Sequence, residues 1–395
     1  MKIFRAASPT LPVALLLSGC AERSAEGGLF PDLPVIQAVE DLRIDGYAAD
    51  LVPIGWIGVS RDGSIAVAQQ QDRGIRFFDA SGDTLGFVGG PGEGPGEFRS
   101  LAGGGWIGDT LWVSDTQLRR LTLISAKLEV LRTVPHPSPV SPPPEEVERL
   151  PEFQMVVPYG LYVDGSQLVV PIPTVGQVRE YGLSGSLLLM VSEDGRIFRH
   201  VFTAAQDERA SFSVQAARGT ATVSVPFFPR LRWAVSPDGT RAATLSTHIS
   251  GPEGGFFTVT VYDPRVGVMF ARDYAFPGTP IPEHVVDSVL ESFASRARSP
   301  ELARAYRTEA RSRVPPIYPP VDGILLDSEG SVWIELHDGD ERNDWLVLDS
   351  GGQPVARVNL PAGVHVQVAG VDHVWGIIQD EFDVESIVRY RLLRG

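Results

Sequence analysis

The sequence predicts an all-β fold, a six-bladed β-propeller of four-stranded antiparallel blades, and three observations lead there. Tight turns recur at Asp62-Gly63, Gly108-Asp109, Asp164-Gly165, Asp238-Gly239, Glu329-Gly330 and, more weakly, Val371-Asp372. Each turn lies between two short runs rich in β-branched and aromatic residues, the pattern of short strands at regular spacing. The last module lacks a final strand, and a spare strand precedes the first.

Taken in chain order, the first blade is expected at 54–59, 64–69, 75–79 and 84–89, and the second at 105–107, 110–114, 120–124 and 128–134. The third follows at 159–163, 167–171, 186–191 and 196–202, and the fourth at 230–235, 241–246, 256–262 and 268–276. The fifth takes 323–326, 331–336, 345–349 and 354–360. The sixth has only 364–368, 373–378 and 386–392, so 35–44 is expected to pair there as its outer strand and close the ring. Trp112, Trp333 and Trp375 stand at one register of three second strands, where a large aromatic fills the wedge between blades.

Connections on one face of such a ring are uniformly tight, and those on the other are long. The long set comprises 89–100, 135–156, 172–185, 203–228, 247–255, 277–320 and 337–344. Binding residues sit disproportionately on loops carried by a rigid scaffold, so this face is the functional candidate. The longest connection carries a two-helix insertion, 281–314, between blades 4 and 5. Val285, Val286, Val289, Leu290 and Phe293 fall on one face at helical spacing, and Ser299-Pro300 starts a second helix. The apolar side of that pair is expected on the propeller rim. The Pro-rich 135–151 reads as a stiff surface connection.

Over 395 residues the formal charge is −15, which excludes the cationic surface a nucleic-acid partner needs. Gly (41) and Pro (32) are numerous, as many turns require. The one cysteine, Cys20, allows no intrachain disulfide. It follows Lys2, Arg5, an apolar stretch over 11–17 and the tetrapeptide Leu17-Ser18-Gly19-Cys20. That arrangement resembles the lipobox of bacterial lipoprotein precursors. The resemblance implies a signal peptide over 1–19, lipid attachment at Cys20 and a flexible tether over 20–33 before the propeller, 34–395. It also implies a place in the bacterial envelope, with membrane contact through the lipid alone. Ala21 rather than Asp after the cysteine favours the outer membrane, facing the periplasm or the cell surface.

Gly89–Phe98 (GGPGEGPGEF) with Leu111–Leu123 (LWVSDTQLRRLTL) resembles the blade-to-blade signature of NHL-repeat propellers, over blades 1 and 2 only. Ser236-Pro237-Asp238-Gly239 resembles the turn of TolB-type repeats, and 381–393 is similar to the last strands of bacterial six-bladed propellers. NHL-type members bind proteins or RNA, and the acidic balance here departs from the RNA-binding ones.

No HExxH zinc motif, GxSxG elbow or phosphate loop occurs, so no catalytic residue is assigned. The candidate ligand-face residues are Asp72, Asp115, Arg119, Asp338, Asp340, Asp344 and Asp380, most of them just past second strands. Carboxylates leaning toward the channel mouth would form a ring, with Asp115 and Asp338 its core. Hydrogen bonding to loop amides is the rival reading. No cofactor is expected. If a metal is held, it is calcium at the oxygen-rich 338–344 loop, whose order departs from the EF-hand pattern. The expected function is therefore recognition of a protein, peptide or glycan. A metal-dependent hydrolase or lyase, lactonase-like, is the alternative.

Overall fold

The computed structural model describes residues 29–51, 53–146, 149–216, 219–337 and 343–393. Cys20, the signal segment, most of the tether, Asp338 and Asp340 lie outside them.

Four separate antiparallel sheets follow one another along the chain. Sheet 1 comprises Ile54–Val59, Ile65–Gln69, Gly74–Phe78 and Thr84–Gly89. Sheet 2 comprises Leu101–Ile107, Thr110–Asp115, Arg120–Ser125 and Val130–Pro135. Sheet 3 is built from Val156–Leu161, Gln167–Pro171, Ser186–Val191 and Ile197–Ala204. Sheet 4 takes Arg232–Val235, Ala242–Gly251, Gly254–Asp263 and Gly267–Pro277.

Apart from one separate hairpin, the remaining strands merge into one eight-stranded sheet. One half is Val321–Leu326, Val332–Leu336, Asn343–Leu348 and Pro354–Leu360. The other is His365–Ala369, His373–Gln379, Glu385–Leu393 and the N-terminal Val35–Ile44. Val35–Ile44 lies antiparallel to Glu385–Leu393 in the register Gln37↔Leu393 to Ile44↔Ile387, as expected. It also pairs parallel with Pro354–Leu360 through Val35↔Arg357, Ile36↔Val358 and Gln37↔Asn359. That second pairing departs from the expectation of six separate four-stranded sheets. The strand's leading residues reach past the blade it completes and satisfy the neighbouring edge too.

Each sheet packs on the next through apolar residues of alternating strand positions. Trp112 and Leu121 meet Leu161 between sheets 2 and 3, and Phe202 meets Trp233 between sheets 3 and 4. Phe257 faces Ile334 between sheet 4 and the eight-stranded sheet, whose halves share Trp333, Val358 and Val388. Trp375 and Ile387 meet Ile65 and Phe78 of sheet 1, and Ala66 and Phe77 meet Leu111 and Val113 of sheet 2. The circuit of cores thus returns to its start, the arrangement of a β-propeller around a central hollow. Leu29 is buried and Phe30 sits edge-on to Phe257, with ring centroids 6.3 Å apart. Docked chain therefore begins inside the span expected to be a loose tether.

The long connections are more structured than the sequence reading allowed. Residues 172–185 contain helix α1, Val175–Tyr181, closed by a Thr174/Gln177 capping box and by Gly182 in the left-handed region. Residues 203–228 contain a hairpin, Ser211–Ala216 with Gly219–Ser224. Helices α2 (Glu283–Ser295) and α3 (Pro300–Ala305) lie between sheet 4 and Val321, and Ser299 caps α3 by accepting from the Leu302 amide at 3.3 Å. Their apolar side rests on the hairpin, not on the sheets: Leu290, Ala305 and Ala310 pack with Val223, Phe212 and Val214. Among the described residues no helix is long and apolar enough to cross a membrane.

Candidate functional site at the long-loop end of the hollow

The loops that carry the expected ligand residues are held by those residues themselves. Asp115 is fully buried. Its Oδ2 accepts from the amides of Arg99 (2.7 Å) and Ser100 (3.3 Å), and its Oδ1 from those of Gln117 and Leu118 (both 2.9 Å). The carboxylate is thereby committed to fixing two loops. Asp380 Oδ1 likewise accepts from the amides of Phe382 and Val384, both at 2.9 Å. Asp344 is buried against Arg357 at 2.5 Å, inside the eight-stranded sheet. Arg119, at φ +54°, donates through Nη2 to Ser138 Oγ (2.5 Å) and to the Gln154 carbonyl (2.6 Å), stapling the Pro-rich connection. That connection lies on sheet 3, with Val140 and Phe153 both buried. Asp72 stands exposed in its turn. Among the described residues no three His, Cys, Asp or Glu side chains converge as a metal ion would require.

A different polar group gathers where first strands begin and second strands end on the long-loop side. Arg232 and Asp322 open two first strands there, while Glu335 and His337 close a second strand. Glu335 pairs with Gly323 across the ladder, next to a bulge. Gly323 is required: a Cβ at that position would come within 2.6 Å of Glu335 Oε2. The carboxyl therefore lies over the backbone of the first strand. Burial raises its pKa and the nearby charge of Asp322 adds to this, against the opposing charges of Arg232 and His337.

Asp322 Oδ2 lies 2.8 Å from His337 Nδ1 and orients the imidazole. The His337 amide donates to the Pro320 carbonyl at 2.8 Å, fixing the residue's backbone. Tyr318 packs against the ring at 5.4 Å between centroids, and Phe227 stands edge-on behind Tyr318 at 5.7 Å. Arg232 Nε is buried without a hydrogen-bond partner among the described residues. A carboxyl whose pKa is raised by burial beside a carboxylate-oriented imidazole is the pairing that general acid–base chemistry uses. The available signal was a polar pair, Glu335 and His337, at the end of an otherwise apolar strand.

A second histidine is closed to chemistry. His136 is buried beside fully buried Ser114, with Nε2 3.3 Å from Ser114 Oγ. Burial holds the imidazole neutral, with its pKa lowered to about 4. No substrate reaches that hydroxyl, so the pair is structural.

No family model matches this chain, and no curated protein matches it. Among solved structures it is similar to a member of the DUF4221 family from Bacteroides vulgatus, with 9% identity and a TM-score of 0.46 over 91% of this chain and 99% of that one. It is also similar to regucalcin, a calcium-binding protein from Agrobacterium tumefaciens (12% identity, TM-score 0.40, 92% of this chain and 97% of that one). A third is virginiamycin B lyase from Staphylococcus aureus (12% identity, TM-score 0.39, 91% and 99%). Likeness at this level carries no functional argument; the fold stands on strand pairing alone.

Proposed function

We propose that this chain is a six-bladed β-propeller of the bacterial envelope, anchored by a lipid on Cys20, that recognises a protein, peptide or glycan through its long-loop face. The count of six takes the halves of the eight-stranded sheet as separate blades. The observation that carries the recognition reading is the polar group at the strand ends on that face. Glu335, Arg232 and the Asp322–His337 pair lie there, while Asp115, Arg119 and Asp380 shape the loops around it. The buried Arg232 Nε, without an acceptor among the described residues, favours a ligand that supplies a hydrogen-bond acceptor nearby.

Site-specific photocrosslinking in cells tests this. A crosslinker replacing Asp72 or Asp380 on the long-loop face is expected to trap adducts, and one replacing Asp83 or Asp194 in the opposite turns is not. Adducts confined to the second pair would overturn the reading. The anchor is tested separately, by loss of palmitate labelling in Cys20→Ala.

A second reading, a hydrolase or lyase, is favoured by one observation: the raised pKa of Glu335 beside an oriented imidazole. In its metal-dependent form a divalent ion would sit near the channel, held by side chains from several blades. Stoichiometric calcium or zinc in purified protein would move the balance toward it.

A further inference from the structure

A cation and a carboxyl on the long-loop side attract each other without meeting. The first strands of the sheets neighbour one another around the ring, so they line its centre. Arg232 opens the first strand of sheet 4. The adjacent first strand, Val321–Leu326, carries Gly323 with the Glu335 carboxyl laid over it. Arg232 is near enough to oppose the rise in the Glu335 pKa, yet the two form no ion pair. The Arg232 guanidinium makes no hydrogen bond or ion pair among the described residues. Of its nitrogens only Nε is buried, so the forked Nη end is open. The Glu335 carboxyl likewise accepts no hydrogen bond from a described residue and is not sealed in, whereas Asp322 is engaged by His337 at 2.8 Å.

An aromatic wall adjoins this pair. Side chains alternate along a strand, so Trp233 faces sheet 3 while Arg232 faces Val321–Leu326. Tyr159, on the first strand of sheet 3, stands edge-on to Trp233 with ring centroids 4.9 Å apart. A bulge between Pro158 and Gly160 re-aims it. Tyr159 is 39% exposed, yet burial raises the pKa of its hydroxyl. Surface that is accessible but poorly solvated belongs to a hollow, not to the open outside.

A single open guanidinium matches one negative charge. A phosphate dianion would face Asp322 and Glu335 with one cation to balance it, and a cationic ligand would face Arg232. A carboxylate fits the fork with both oxygens. Glu335, standing apart, calls for a donor. The last residue of a peptide supplies both, a carboxylate and its own amide N–H, and its side chain can lie on the aromatic wall. Resting on the recognition reading above, the geometry points to capture of a peptide by its free C-terminus. Arg232 takes the carboxylate, Glu335 accepts from the last amide, and Tyr159 with Trp233 receives the last side chain.

Calorimetry on the purified chain tests this with acetyl-Ala-Ala-Phe as the free acid and as its C-terminal amide, and with glucuronate and inorganic phosphate as other anions. Saturable binding of the acid is expected, with the amide at least about tenfold weaker. Arg232→Gln should erase that difference, and Arg232→Lys, which keeps the charge without the fork, should restore part of it. Tyr159→Ala should weaken the Phe-ending acid about fivefold and leave acetyl-Ala-Ala-Ala nearly unchanged. Arg61→Gln, the same charge change on the short-turn side, should alter neither. The acid–amide comparison needs no variant, so it decides even where Arg232→Gln fails to fold. Equal affinity for acid and amide, no saturable response to the acid, or tighter binding of glucuronate or phosphate would overturn the proposal. Any of these together with crosslinked adducts at Asp72 or Asp380 would sink this inference alone. Adducts confined to the opposite turns would sink the recognition reading itself.

Discussion

A carboxylate that accepts four amide hydrogen bonds while fully buried works as a structural latch, and Asp115 is the clearest case in this chain. Asp115→Ala leaves those amides without acceptors, so we expect a loss of about 3 kcal/mol in urea unfolding. Asp115→Asn keeps part of the set and should cost less. His136 makes an opposite electrostatic prediction. Its folded pKa lies near 4 against 6.5 for the free side chain, because burial disfavours the imidazolium. The unfolded chain therefore takes up this proton first as pH falls. The contribution is complete above pH 6.5 and declines as pH drops toward 4, by at most about 3 kcal/mol. An NMR titration of the His136 ring should give a midpoint near 4, and a midpoint near 6.5 would show that water reaches the ring. The backbone-bound role of Asp115 was legible as one of two readings of an aspartate just past a strand. Glu335 was not legible, because Arg232 comes from a different sheet, and only the ladder register sets its carboxyl over Gly323 and near Asp322.

At the scale of elements, legibility followed the strength of the local signal. Gly63, Gly165, Gly239 and Gly330 all adopt φ between +71° and +90°, so turns read from Asp-Gly and Glu-Gly pairs fell where expected. Trp112, Trp333 and Trp375 are all buried in cores between neighbouring sheets. The hairpin at 211–224 escaped notice because its strands, SFSVQA and GTATVS, carry small and polar residues and bury little except Val223. That hairpin is nevertheless what α2 and α3 lean on, and it corrects the expectation that they cover the rim. Three arginines of the helical segment are paired with acids: Arg307 with Glu291 at 2.7 Å, Arg313 with Glu309 at 2.6 Å, and Arg311 with Asp287 and Glu283. Exposed pairs of this kind contribute little to stability. Helices and hairpin thus share one small core, apart from the cores between sheets. Replacing 281–314 by a short linker should leave the sheets' cooperative thermal transition in place and expose Phe212 and Val223 to a hydrophobic dye. Removing the hairpin as well should abolish the dye response. Loss of the transition on the first deletion would place the helices in the main core.

At the scale of the molecule, stability depends on how the first described strand meets the last. Val35–Ile44 covers the edge of Glu385–Leu393 along nearly its whole length and touches Pro354–Leu360 at its start. The sequence disclosed the first contact through a missing strand, but the second depends on where three leading residues lie in space. Arg357 stands at that junction: its amide donates to the Pro34 carbonyl at 2.9 Å, and its guanidinium meets buried Asp344. Arg357→Ala removes the only charge paired with Asp344 among the described residues, and a buried carboxylate left alone costs about 3–5 kcal/mol. Because the two residues act as a pair, Asp344→Leu/Arg357→Leu should recover most of that loss in a double-mutant cycle. Deleting 29–44 should have a distinct signature. It uncovers strand edges on both halves of the eight-stranded sheet, which invites edge-to-edge association. Light scattering should then rise before the unfolding transition in the deletion, whereas Arg357→Ala should unfold earlier without it. If both variants merely shift the midpoint, the N-terminal strand adds affinity to one edge and does not close the molecule.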